Sequence, residues 1–296
     1  MPERFHLSLD GNWQFWTDIQ ANQTVDTLPE AQAVGMPVPA SWQQEARFRD
    51  YTGVAWYRRA FDLPADWLAK GAVVLGFGAV EYLAEVWVNG QKAGEHEGGY
   101  LPFECDVTRW VKPGENILTV RVADPVTLFP EIPHGKQSWY GMLSGIWQPT
   151  WVESRAITHI QQVKITPKGR TVVADAALSA PLRSGEALQF EIFAPDGAMV
   201  CRGESASPHF ECQVETALLW DMDTPNLYRL QTSLVDASHE VVDSLEVRFG
   251  FRTIETRDGK LWLNGRPIYL RAALDQDYYP DGFGCLPSVE FIEAEF

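Results

Sequence analysis

Apolar and polar positions alternate in short stretches over most of the chain, and the three-to-four spacing of a helix face is rare. Residues 73–77 (VVLGF) form a brief apolar run, the pattern of a buried strand. Residues 85–88 (EVWV) lead into Asn89-Gly90 and then into QKAG at 91–94. An Asn-Gly pair between strand-like flanks predicts a two-residue hairpin, because both turn positions need positive φ. Another strand is predicted over 117–122, after the turn KPGEN at 112–116. Short strands punctuated by Gly and Pro continue to about residue 152, and residues 64–70 allow one short turn of helix. This rhythm predicts an all-β sandwich or jelly roll over residues 1–155.

A second set of short strands starts near residue 157 and covers 163–166, 171–178, 188–193 and 228–235. Turns such as APDG at 194–197 separate them, and the set closes near 247–252. The pattern predicts an immunoglobulin-like β-sandwich over residues 156–254. The segment 255–296 changes character. KLWL at 260–263 meets a second Asn-Gly pair, Asn264-Gly265, and the apolar run 267–274 predicts a strand buried on both faces. Pro287 and Ser288 then precede Val289, Ile292 and Phe296, which share a helix face. Ser288 is placed as the N-cap, with Glu290 in the first turn. Strand, loop and helix start together form the opening of a βα unit. One such unit cannot close a sheet, so residues 275–296 are expected to be mobile or to associate with another chain, including a second copy. The two β domains are expected to fold without residues 256–296.

Composition adds limits to this picture. Hydrophobic residues make up 45% of the 296, enough to bury a sizeable core, and 12 Trp and 15 Phe reinforce the strand assignment. A net charge of −16 argues against nucleic acid and against anionic membrane surfaces as partners. No stretch approaches the roughly 18 apolar residues of a membrane helix. The opening MPERFH leads into no apolar run, so a cytoplasmic location is expected. Of the four cysteines, Cys201 and Cys212 flank a turn-rich stretch as candidate cross-strand neighbours, but a cytoplasmic chain is expected to keep them as thiols.

Some stretches invite chemical readings. His96 lies between Glu95 and Glu97 and is followed by Gly98-Gly99. Adjacent strand residues point to opposite faces, so the two carboxylates can share a face that the histidine cannot join. A packed histidine is expected, and no metal site. The stretch Gly76-Phe77-Gly78 lacks the third glycine and the helix of a dinucleotide loop, so no cofactor is expected. Ser144 has no nucleophile-elbow context and reads as a turn residue.

The order of motifs resembles glycoside hydrolase family 2, the family of β-galactosidase, β-glucuronidase and β-mannosidase. The matching stretches are LDGNWQF (9–15), VPASWQ (38–43), YTGVAWYRRAF (51–61), VWVNGQKAGEHEGGYLPFECDVT (86–108), SWYGMLSGIWQPTWVE (138–153), GFRTIE (250–255) and LNGRPIYLR (263–271). The resemblance implies a jelly-roll sugar-binding domain, an immunoglobulin-like sandwich and then a (β/α)8 barrel that hydrolyses β-linked sugars. Such a barrel needs about 250 residues, and some 40 follow Glu255. Retaining glycosidases use two carboxyl groups about 5–5.5 Å apart. By resemblance these lie on later barrel strands, so no residue of this chain is assigned as catalytic. Glu290, Glu293 and Glu295 are expected on a solvated helix face. Asp275, Gln276 and Asp277 follow the first barrel strand and are candidates to touch a carbohydrate substrate. Gln276 stands where galactosidase-like members carry a sugar-binding histidine, which argues for an atypical subgroup. Trp139 and Tyr140 lie on the jelly-roll loop that, in the family, reaches toward the barrel, and are candidates to wall the sugar site. A stand-alone carbohydrate-binding module with an immunoglobulin-like partner domain is the competing reading.

Overall fold

A computed structural model describes residues 4–124, 137–279, 282, 284–285 and 287–295. It groups into two units. One combines residues 5–154 with 274–296, and the other combines Arg4 with 155–273.

The first unit is a sandwich. One sheet has four strands in the order Phe5–Ser8, Thr150–Ala156, Gly71–Phe77, Phe103–Asp106. The other has six, in the order Val34–Val38, Gly11–Asp18, Val54–Leu63, Gly114–Ala123, Leu83–Val88, Gln91–Glu97. Alternation sets the core. In Leu83–Val88, Ala84, Val86 and Val88 are buried while their neighbours are partly exposed. Trp13, Phe15, Trp42, Tyr57 and Phe77 fill the space between the sheets, each with 1% or less exposed, so the aromatic load is spent largely on packing. Trp13 also donates its indole N–H to the Leu9 carbonyl at 2.8 Å. The Asn89-Gly90 hairpin forms as expected, with φ of 50° and 78°. Asn89 does more than turn the chain: its carboxamide accepts from the Ile117 amide at 2.9 Å and donates to the Trp110 carbonyl at 2.9 Å.

The second unit has its own core. A three-stranded sheet (Ile160–Lys168, Thr171–Leu178, His209–Gln213) faces a four-stranded one (Met199–Ser205, Ala187–Phe193, Tyr228–Val235, Val241–Phe249). Phe190 and Phe210 stack at 4.7 Å and 2° between planes. The cysteine expectation is corrected here. Cys201 on Met199–Ser205 and Cys212 on His209–Gln213 form a disulfide that links the two sheets. They are not cross-strand neighbours in one ladder. Folding of the sandwich brings them face to face, which their spacing alone does not reveal. Asp243, 1% exposed, pairs with Arg4 at 2.8 Å and accepts the Ile160 amide at 2.7 Å, so its buried charge is satisfied.

The last segment departs from expectation. Ile254–Arg257, Lys260–Leu263 and Arg266–Ile268 form a three-stranded antiparallel meander. The Asn264-Gly265 turn forms with φ of 50° and 75°. The predicted strand over 267–274 stops at Ile268, and Tyr269, Leu270 and Leu274 are 85%, 58% and 84% exposed. A doubly buried strand needs a neighbour on each side. This one has a single antiparallel partner among the described residues, Lys260–Leu263, and pairs with it only over Arg266–Ile268. The predicted helix is present as Val289–Glu295, with the Phe291 amide donating to the Ser288 hydroxyl at 3.2 Å. Phe296 lies outside the described residues. The tail also makes hydrogen bonds within the first unit. Gln44 donates to the Gly282 carbonyl at 2.9 Å, and the Tyr278 hydroxyl donates to the Gly141 carbonyl at 2.6 Å. Among the described residues, no helix is long and apolar enough to cross a membrane.

Candidate functional site

The stretch around His96 is structural. His96 pairs in register with Ala84 and stacks on Phe103 at 4.3 Å, while Phe103 stacks on Phe77 at 4.8 Å. Glu95 takes an ion pair from Lys92 at 2.9 Å, and Glu97 accepts the Tyr82 hydroxyl at 2.9 Å. The two carboxylates are exposed and the imidazole is not, as strand alternation requires.

A different group of residues converges a few positions away. The two-residue strand Val80–Glu81 pairs with Gly145–Ile146, placing Glu81 opposite Gly145. Glu81 is 3% exposed. Its Oε1 accepts from Gln137 Nε2 at 3.1 Å, and Gln137 Oε1 accepts from the Leu143 amide at 3.0 Å. Gln137 thereby closes the 137–143 turn over Glu81. The other oxygen, Oε2, presses on Gly99, where a Cβ would lie 1.2 Å from it. Trp147 holds that backbone by donating its indole N–H to the Gly99 carbonyl at 2.7 Å. Burial pushes the Glu81 carboxyl up to about 7, with Gln137 opposing and the Asp124 carboxylate adding to the shift.

Beneath the turn lies a polar network. Ser144 is fully buried, donates to Asp124 and accepts from Gln43 Nε2 at 2.7 Å. The reading of Ser144 as a plain turn residue is therefore corrected: it joins Gln43 to Asp124 across 101 and 20 positions of sequence.

Aromatic rings cover the outside. The short helix Gln137–Tyr140 carries Trp139, 84% exposed, and Tyr140, 50% exposed. Tyr140 meets Tyr278 with ring centroids 5.7 Å apart, and Tyr100 sits edge-on to Trp147 at 5.5 Å. Burial raises the phenols of Tyr100 and Tyr278 above their usual range, so both stay neutral hydroxyls. Residues 275–277 lie just before Tyr278. Asp275 accepts the Asp277 amide at 2.9 Å, and Asp277 adopts a φ of 50°. Asp275 and Asp277 are exposed and Gln276 is partly so. Thus Tyr140 and the 275–278 loop come together, while Trp139 stands out into solvent. Sequence reasoning missed Glu81, Gln137, Tyr100 and Tyr278. The available signal was a lone carboxylate in the otherwise apolar stretch 79–84 and the tyrosine directly after Asp275-Gln276-Asp277. Among the described residues, no three His, Cys, Asp or Glu side chains are grouped to hold a metal ion.

Comparison with known proteins gives the family of the chain. The model described as glycosyl hydrolases family 2, sugar binding domain, matches residues 6–148, and that described as glycosyl hydrolases family 2 matches 158–252. A β-galactosidase of Thermoanaerobacter pseudethanolicus is 29% identical over 90% of this chain and 37% of its own. A β-glucuronidase of Paenibacillus borealis is 28% identical over 89% of this chain and 48% of its own. The crystal structure of a Ruminococcus gnavus β-glucuronidase superposes with a TM-score of 0.84 at 26% identity, over 99% of this chain and 52% of that one. The chain spans about half, or less, of the length of these relatives. With both models matching in order along well over half of its length, the chain belongs to glycoside hydrolase family 2.

Proposed function

We propose that this chain supplies the sugar-binding and immunoglobulin-like part of a retaining β-glycosidase and does not itself carry the carboxyl pair that cleaves the bond. Residues 1–155 serve as the jelly-roll sugar-binding domain and 156–254 as the immunoglobulin-like domain. Residues 255–296 lead into a barrel, although only the meander and the helix Val289–Glu295 are formed among the described residues. The observation that carries the reading is the meeting of Tyr140 with Tyr278, which sets an aromatic platform beside Asp275, Gln276 and Asp277. An aromatic face suits the apolar face of a pyranose, and short carboxylates and amides suit its hydroxyls. A neutral β-linked sugar fits this lining and the net charge of −16 better than an anionic one. The competing reading, a stand-alone carbohydrate-binding module, draws support from one feature: residues 274–296 group with the jelly-roll unit.

Two measurements test the proposal. The purified chain is expected to leave p-nitrophenyl β-D-galactoside and β-D-glucuronide unhydrolysed, and turnover would refute the non-catalytic assignment. Methyl β-D-galactopyranoside is expected to perturb the Tyr140 and Tyr278 ring signals in NMR. Tyr140→Ala should weaken that binding by up to about tenfold, the scale of one aromatic stacking contact. Binding that Tyr140→Ala leaves unchanged would move the sugar site elsewhere.

A further inference from the structure

Glu81 is buried beneath the platform and has no place in sugar contact, yet everything above it leans on it. The order of contacts is Glu81 to Gln137, Gln137 to the Leu143 amide, and the 137–143 turn to Tyr140, Gly141 and so Tyr278. We propose that Glu81 is a positioning residue whose ionisation loosens the 137–143 turn, so that the Tyr140–Tyr278 platform is held at acidic pH and released as the pH rises past neutral. The consequence for sugar binding rests on the reading of that platform given above; the turn's response to pH does not.

The physical reason lies in what surrounds the carboxyl. Oε2 is buried against Gly99 and has no hydrogen-bond partner among the described residues. A neutral carboxyl tolerates that position far better than a charged one. Ionising Glu81 in place also sets a second negative charge near the Asp124 carboxylate, at the end of the strand Gly114–Ala123. Among the described residues, the other titratable groups facing it offer no relief. They are Tyr82 on the same stretch, Tyr100 after the strand Gln91–Glu97, and Tyr278 on the tail with Cys285 beyond it. None is a cation, and all four have their pKa raised: burial leads for Tyr100, Tyr278 and Cys285, and the hydrogen bond to Glu97 leads for Tyr82. The way to solvate an ionised Glu81 is to let water in past Gln137, which takes the acceptor away from Leu143. The sign follows from linkage. The folded-state value of about 7 lies above the ordinary 4.5. The stability contributed by the neutral form is whole below about 4.5 and is lost as pH rises through about 7.

The test is amide exchange in the full chain, corrected for the intrinsic rate, at about pH 5.5 and about pH 8.5. Leu143 protection is expected to fall at least about tenfold across that interval, while Val120, in the middle of the six-stranded sheet, stays constant. Glu81→Gln, which keeps the shape and cannot ionise, should hold Leu143 protected at both pH values. Gln137→Ala should leave it unprotected at both. Equal protection of Leu143 at the two pH values in the wild-type chain, or the same fall in Glu81→Gln, overturns the proposal. If Glu81→Gln does not fold, the carbon-13 titration of the wild-type Glu81 carboxyl decides. A midpoint near the ordinary carboxylate value would refute the proposal, and one near 7 would support it. Adding methyl β-D-galactopyranoside separates the two readings. No response at Tyr140 would count against the sugar platform and leave the Leu143 result standing.

Discussion

Replacing Gly99 by alanine is expected to cost the jelly-roll unit about 2–4 kcal/mol. The new methyl would land 1.2 Å from Glu81 Oε2, well inside any permitted contact. Glu81 cannot swing outward, because it is 3% exposed and its strand is pinned opposite Gly145. Either the Gly99 backbone moves and breaks the 2.7 Å bond from Trp147, or the carboxyl rotates and drops Gln137. Each route loses a buried hydrogen bond and adds packing strain. Urea denaturation followed by tryptophan fluorescence measures the loss. A double-mutant cycle identifies the cause. In a Glu81→Ala background the cost of Gly99→Ala should shrink to under about 1 kcal/mol, since the obstructing atom is gone. An undiminished cost would mean that the carboxyl is not what excludes a side chain at 99.

Removing the disulfide should have an effect of similar size on the other unit. Cys201 and Cys212 are 11 residues apart. Cross-linking a loop of that length lowers the entropy of the unfolded chain by an amount corresponding to about 3 kcal/mol. The double replacement Cys201→Ser with Cys212→Ser is expected to lower the denaturation midpoint of the immunoglobulin-like unit. Reduction of the wild-type chain should produce the same shift, while the jelly-roll transition stays in place. Rapid alkylation of both thiols in the native, unreduced protein would contradict the bridge.

What the sequence revealed and what it hid follow from how local each feature is. Asn89-Gly90 and Asn264-Gly265 were legible because a two-residue turn depends on its own backbone angles and on little else. Ser288 was legible as a cap because capping spans only three residues. The disulfide was hidden because its two strands meet only when two sheets pack. The run 267–274 misled because apolar content predicts burial only where neighbours exist to supply it, and its one partner strand pairs with it only as far as Ile268. The platform was half legible. Tyr140 and residues 275–277 were chosen through family resemblance, which marks positions but not supports. Glu81 escaped because one acid among apolar residues looks like an ordinary strand end. Its role depends on Gln137, which is 56 positions away.

The rims of the six-stranded sheet bear on how this protein behaves at high concentration. One rim is Val34–Val38, where Pro37 has no amide hydrogen to offer an approaching strand. The other is Gln91–Glu97, studded with Lys92, Glu95 and Glu97, all exposed. A second molecule trying to continue the ladder would meet a missing donor on one side and fixed charges of both signs on the other. Long, strongly hydrophobic sheets of this kind are prone to templated fibril growth. Here the flanking residues make both ends poor templates, so the tryptophan-rich core can be large without the sheet becoming a seed.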